Sequence, residues 1–93
     1  MQIGLIMPHR YNASTIKAKI EDLLQGVDSD KTICPSEVAR ALSSTDWREM
    51  MPLVRSCADE LKTMGSIEIL QRGKIIPSAH QAKGPIRLRM KTK

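Results

Sequence analysis

At Gly65 the hydrophobic period of this chain changes, and no other feature limits its fold so strongly. Before that point apolar residues recur every three or four positions, the spacing of one helix face. After it they alternate: Ile67 and Ile69 flank Glu68, and Ile86, Leu88 and Met90 are separated by Arg87 and Arg89. A 93-residue chain can bury roughly 60–65% of its unfolded surface, enough for one modest core. The helical and the alternating parts must therefore share that core, with helices packed on a small sheet.

The helical part divides into three. Met1 to Asn12 has no clear period and reads as an arm (residues 1–12), docked through Leu5 and Ile6, ahead of one domain over residues 13–93. From Ser14, an N-cap candidate, Ile16, Ile20, Leu23 and Leu24 share one helix face, and Gly26 offers a left-handed C-cap. Thr32-Ile33-Cys34 is a short extended piece. Pro35 suits the first turn of a second helix, Glu37 favours its positive end, and Val38, Ala39 and Leu42 form its apolar stripe. Asp46 to Met64 is the third helical stretch. Asp46 with Glu49 has the capping-box spacing. Trp47, Met50, Val54, Cys57, Ala58, Leu61 and Met64 define the buried side. Pro52 removes one backbone donor, so a kink or break is expected near Met51.

In the alternating part, Gln71-Arg72-Gly73-Lys74 reads as a tight turn between Ile67–Ile69 and a second strand, Ile75-Ile76, which Pro77 cuts short. A polar loop, Ser78 to Gly84, leads to the last strand. The order helix, short strand, helix, helix, hairpin, strand predicts an α+β fold of winged helix-turn-helix type, three helices on a small antiparallel sheet.

Composition narrows the function. With 41% apolar and 27% charged residues the chain reads as globular, and with no Phe, one Tyr and one Trp it lacks the aromatic platforms that single-strand base stacking needs. No 18-residue apolar run is present, and Ile3 to Met7 is too short and lacks the basic leader of an export signal, so the expected setting is the cytoplasm, with no membrane partner. Cys34 and Cys57 are then two reduced thiols.

The charge is unevenly placed. Of 15 Lys and Arg against 10 Asp and Glu, Arg72, Lys74, Lys83, Arg87, Arg89, Lys91 and Lys93 fall after Leu70, where no acidic residue stands. The rest of the chain is mildly acidic.

Four separated runs resemble a known family. They are Ile33-Cys34-Pro35-Ser36-Glu37-Val38-Ala39-Arg40-Ala41-Leu42; Asp46-Trp47-Arg48 with Met50-Met51 and Val54-Arg55; Gly65-Ser66-Ile67-Glu68-Ile69 with Gln71-Arg72-Gly73-Lys74; and Gly84-Pro85-Ile86-Arg87-Leu88-Arg89. Over about Ile16 to Met90 the chain is similar to a small, mainly bacterial family known only as a domain of unknown function, number 3253. The resemblance implies a winged-helix fold and no activity. Some relatives carry a cysteine-rich segment ahead of this domain; the N-terminal residues here hold no cysteine, so that feature does not transfer.

Nucleic-acid binding is the leading expectation. A winged helix lays its third helix in the major groove and sets its wing on the backbone. Arg48, Arg55 and Lys62 recur every seven residues along one flank of the third helix. That helix is net acidic, however: Asp46, Glu49, Asp59 and Glu60 outnumber its cations, and Asp59 is spaced to pair with Arg55. The wing and last strand fit better. Arg72 and Lys74 flank Gly73 at the hairpin tip, and Arg87, Arg89 and Lys91 share one strand face, where phosphate contacts would make binding steeply salt-dependent. Protective charge on an edge strand gives the same pattern.

The rival is a protein-interaction or dimerisation module of the same fold, docking through the arm or the exposed strand edge to a protein partner or a second copy. Metal binding has little support, because His9, Cys34, Cys57 and His80 lack zinc-type spacing. Catalysis has none: the glycines are isolated, no activated nucleophile pair is visible, and no cofactor is implied. Trp47 reads as a packing anchor between the second and third helices.

Overall fold

The structure, a computed structural model, describes residues 12–91. The expected arm falls outside the described residues except for Asn12. Three helices and four strands follow: α1 (Ala13–Gln25), β1 (Thr32–Ile33), α2 (Pro35–Leu42), α3 (Trp47–Thr63), β2 (Ile67–Gln71), β3 (Lys74–Ile75) and β4 (Arg87–Met90). The strands form one antiparallel sheet in the order β1-β4-β2-β3. The fold is therefore α+β, as the change of period predicts.

Asn12, not Ser14, starts α1. Its Oδ1 accepts a hydrogen bond from the Thr15 backbone N–H at 2.9 Å, satisfying one donor the helix leaves unpaired, worth about 1 kcal/mol. Ile16, Ile20 and Leu24 are buried on one face, each contributing roughly 2 kcal/mol by leaving water. Gly26 does end the helix, but at φ −83°, in right-handed space. The last turn instead tightens, with Gly26 N–H and Val27 N–H donating to the Leu23 and Leu24 carbonyls three residues back, so no left-handed residue is needed.

Pro35 opens α2, and the Glu37 carboxylate turns back to accept from Cys34 N–H at 2.8 Å. That reciprocal carboxylate bond was expected at α3, from Glu49. There Asp46 sits at φ −107°, ψ 11° and its side chain caps nothing. α3 also passes through Pro52 without a break. Arg48, whose carbonyl loses its partner, and Pro52 are both exposed, so the missing bond lies on the solvent side. At its other end α3 closes on Gly65, at φ +84°: Ser66 N–H donates to Leu61 O and Gly65 N–H to Lys62 O, each at 2.9 Å. This paired closure needs a left-handed residue after the cap.

Met50, Val54, Cys57, Ala58 and Leu61 of α3 are buried as expected and meet Ile16 and Ile20, Val38 and Ala39, and the inner sheet residues Ile33, Ile67, Ile69 and Leu88. Two residues of the expected stripe differ. Met64 is 68% exposed, because as C-cap it stands where the chain is already turning away. Trp47 is only half-buried at the start of α3. Among the described residues no helix is long and apolar enough to cross a membrane.

Candidate nucleic-acid interface

Strand pairing decides where the basic residues of β4 point. Glu68 lies opposite Arg89, and Thr32 lies opposite Arg89 on the other side, so these side chains share the sheet face turned away from the helices. Arg89 uses that neighbourhood fully. Its Nε and Nη2 both donate to Glu68 Oε1, at 3.0 and 2.7 Å. Arg87 reaches diagonally to β1, with Nε donating to Thr32 Oγ1 at 2.8 Å and Nη2 to Thr32 O at 3.3 Å. The two arginines therefore lace three strands together. Arg89 is charge-neutralised; Arg87 is exposed and keeps its charge unpaired by any carboxylate of the described residues.

The β2–β3 turn is built differently. Arg72 and Gly73 have φ +55° and +81°, the two left-handed residues of a type I′ hairpin turn, which matches the twist of the flanking strands. Gly takes such a position without strain, whereas an arginine there is unfavourable. Arg72 and Lys74 are exposed, and neither has a carboxylate partner among the described residues.

The expected stripe on α3 is divided among three environments. Arg55 is half-buried and turned inward. Its Nη1 donates to Ala79 O and Ala82 O, both at 3.0 Å, and its Nη2 to Gly84 O at 2.9 Å. Asp59 does not pair with it. The Asp59 carboxylate instead accepts from Ser78 Oγ (2.8 Å), Ala79 N–H (2.5 Å) and His80 N–H (3.1 Å). One helix thus binds the β3–β4 loop through a cation on its carbonyls and an anion on its N–H groups. Gln71 adds a third tie, Nε2 to Lys83 O at 2.6 Å, and Ala79 is fully buried. Spacing four residues apart on a helix suggested an Arg55–Asp59 pair. The loop competed for both, since backbone groups leaving water need partners of their own.

Lys62 lies at the far end of α3 and, with Lys91, Ile67, Glu68 and Ile75, lines an open crevice of about 220 Å³. Arg48 is fourteen residues earlier on the same helix, roughly 21 Å away along the axis. Its guanidinium carbon lies 4.6 Å from the centroid of the Trp47 ring, and that of Arg40, from α2, lies 4.2 Å from the same centroid. Trp47 does bridge the two helices, but through a cation on its ring as well as through apolar packing against the core. Arg40 carried no signal in the sequence beyond its charge, since the contact joins residues from different helices.

Cys57 is buried, its thiol pushed up from the usual thiol range by burial, and Cys34 is a half-buried thiol 3.0 Å from Ser36 Oγ. Among the described residues no three His, Cys, Asp or Glu side chains are grouped to hold a metal; His9 lies outside them. A depression of about 270 Å³ beside the loop presents the hydroxyl of Ser78, already donating to Asp59 and accepting from Gln81 N–H.

A small α+β domain with basic side chains on its sheet face, hairpin tip and α2–α3 corner is the class of protein these observations define. The chain belongs to the family described as Protein of unknown function (DUF3253), whose model matches residues 13–91, from the first residue of α1 to the residue after β4. A search of curated proteins finds no match to it.

Proposed function

We propose that the chain is a winged-helix module of the cytoplasm that binds duplex DNA through backbone phosphates, with no catalytic role. The β2–β4 connection acts as the wing and α3 as the helix beside it. The order of elements supports this reading, as do the three adjacent strands β1, β4 and β2 with α1 and α3 packed on them and α2 packed on those two helices. Arg72 is the observation that carries it. A cation occupies a left-handed position at an exposed tip, where glycine would serve the turn with less strain, and it makes no ion pair among the described residues. Lys74 stands beside it, and Arg87 on β4, Lys91 after it and Lys62 near the end of α3 are further cations with no carboxylate partner among the described residues.

The test is anisotropy of a labelled duplex at stepped salt, with the wild type and Arg72→Glu/Lys74→Glu. The wild type should bind at about 50 mM salt and lose affinity steeply by about 200 mM. The double reversal should weaken binding more than ten-fold. Unchanged affinity in the variant, or no binding by the wild type at the lowest salt, would refute the proposal. Reversing Arg87 and Arg89 is a poorer test, because a carboxylate at position 89 would face Glu68 and strain the sheet.

A second reading has one observation of its own. Ile75 is 57% exposed on the edge strand β3, an apolar group beside open backbone donors and acceptors, as in a strand-to-strand contact with a protein partner or a second copy. Self-association that barely responds to salt, with no duplex bound, would favour it.

A further inference from the structure

Arg40 and Arg48 converge on one indole from two helices, and local helix energetics account for only one of them. Arg40 stands in the last turn of α2, where the helix dipole favours a cation. Arg48 stands in the first turn of α3, where the dipole disfavours one. Both are exposed, while Trp47 is half-buried and fixed against the core. Asp46 and Glu49 flank the corner and are exposed too, yet among the described residues neither arginine has a carboxylate within 4.0 Å. The start of α3 is also left without a side-chain cap: Asp46 uses its own N–H on Ser43 Oγ at 2.9 Å, and its carboxylate makes no bond to the first turn. Two guanidinium groups and an uncapped helix start thus meet at one corner, beside Asp46 and Glu49 but with no ion pair among the described residues engaging either arginine.

We propose that Arg40, Trp47 and Arg48 form a phosphate-binding corner that takes the backbone of duplex DNA. The inference rests on the DNA-binding reading above and adds a contact at the opposite end of α3 from Lys62. Stacking on the indole holds both guanidinium groups in place before the ligand arrives, so less side-chain freedom is given up on binding. A stacked guanidinium keeps its N–H edge outward, the geometry that grips two oxygens of one phosphate. The ring is already covered by guanidinium carbons at 4.2 and 4.6 Å, so it offers no platform for an unstacked base. The backbone, not a single strand's bases, is the fitting ligand. Arg55 is engaged by the β3–β4 loop, so of the three cations spaced along α3 the two at its ends, Arg48 and Lys62, are left to meet a duplex.

The experiment compares the wild-type chain with Arg40→Gln/Arg48→Gln and with Arg40→Lys/Arg48→Lys, using a labelled generic duplex at stepped salt. Trp47, the single tryptophan, reports from inside the site through its emission. Wild-type binding should change that emission over the same range of duplex concentration as the anisotropy. The Gln pair should weaken binding about ten-fold or more and reduce the slope of log K against log salt by about two, one unit for each phosphate that is no longer neutralised. The Lys pair should keep most of the slope while binding more weakly than the wild type, because an ammonium does not stack as a planar fork. If the wild type binds and both variants match its affinity and slope, the corner is overturned and the DNA-binding reading stands. If the wild type binds no duplex at the lowest salt, both are overturned. Thermal melting of each variant confirms that it is folded, and the charge-preserving Lys pair carries the test should the Gln pair melt early.

Discussion

The β3–β4 loop and the β2–β3 turn are neighbours in sequence, and both carry cations near their ends, yet they relate to the fold in opposite ways. The loop is drawn onto α3 by Arg55 and Asp59 and onto the end of β2 by Gln71, which between them bind backbone carbonyls and N–H groups of residues 79 to 84. The turn stands clear, and Arg72 and Lys74 meet no carboxylate of the described residues. The contrast separates two uses of positive charge that a count of Lys and Arg merges. A guanidinium facing bare carbonyls replaces the water those carbonyls would lose. One at an exposed tip replaces no such water and leaves its charge facing solvent.

The sharpest way to break this contrast is to remove the cation the loop depends on. Arg55→Met keeps the aliphatic stem and deletes three charge-assisted hydrogen bonds. Such bonds contribute about 1.5–3 kcal/mol singly and overlap when they share one group, so a total loss of about 2–3 kcal/mol is expected. For a domain of this size that lowers Tm by roughly 10–20 °C. Amide hydrogen exchange should rise across residues 78 to 84 before it rises in the helices. A variant that melts with the wild type and keeps those amides protected would show that the loop is held without Arg55, by Asp59, Gln71 and the burial of Ala79.

The same contrast explains which parts of the molecule were legible beforehand. Periodicity identified α3 and the alternation of β4, because Met50, Val54, Cys57, Leu61 and Leu88 answer to local geometry that repeats whatever the tertiary context. Proline at the start of α2 and glycine after α3 were readable for the same reason. Competition between partners was not. Asp46-Glu49 and Cys34-Glu37 offer the same spacing, and only the second forms its bond. Arg55 and Asp59 have ion-pair spacing and bind the loop instead. Arg89 was visible as a strand cation, but its pairing with Glu68 depends on the β2–β4 register, which alternation by itself does not set. Residues of the candidate interface were thus readable as charges, while their partners were not.

A milder change sharpens the comparison from the sheet side. Glu68→Gln removes the carboxylate that neutralises Arg89, with the two side chains 22% and 31% exposed. A partly exposed pair of this kind is worth about 1 kcal/mol or less, so Tm should fall by only a few degrees. Duplex affinity should move the other way. A released Arg89 adds one cation to the face that Arg87 already supplies, and the salt slope should steepen by about one unit. Weaker or unaltered duplex binding, in a variant that still folds, would take the sheet face out of the interface and leave the hairpin tip and the α2–α3 corner to carry it.

The smallest expected effect is also the most telling about the turn. Arg72→Ala/Lys74→Ala removes two exposed cations with no carboxylate partner in the described fold, so stability in urea should change by about 0.5 kcal/mol or less. Arg72 adds a complication, because alanine is no easier in left-handed space than arginine and the backbone cost stays where it was. Arg72→Gly should therefore stabilise the hairpin by about 0.5–1 kcal/mol relative to the alanine variant, the relief of one strained φ offset by the greater freedom of glycine in the unfolded chain. Urea midpoints at constant slope measure both differences. A loss of about 2 kcal/mol in the double alanine variant, well beyond an ordinary surface substitution, would mean that the tip cations serve the fold after all, in the manner of Arg55, and the distinction between loop and turn would collapse.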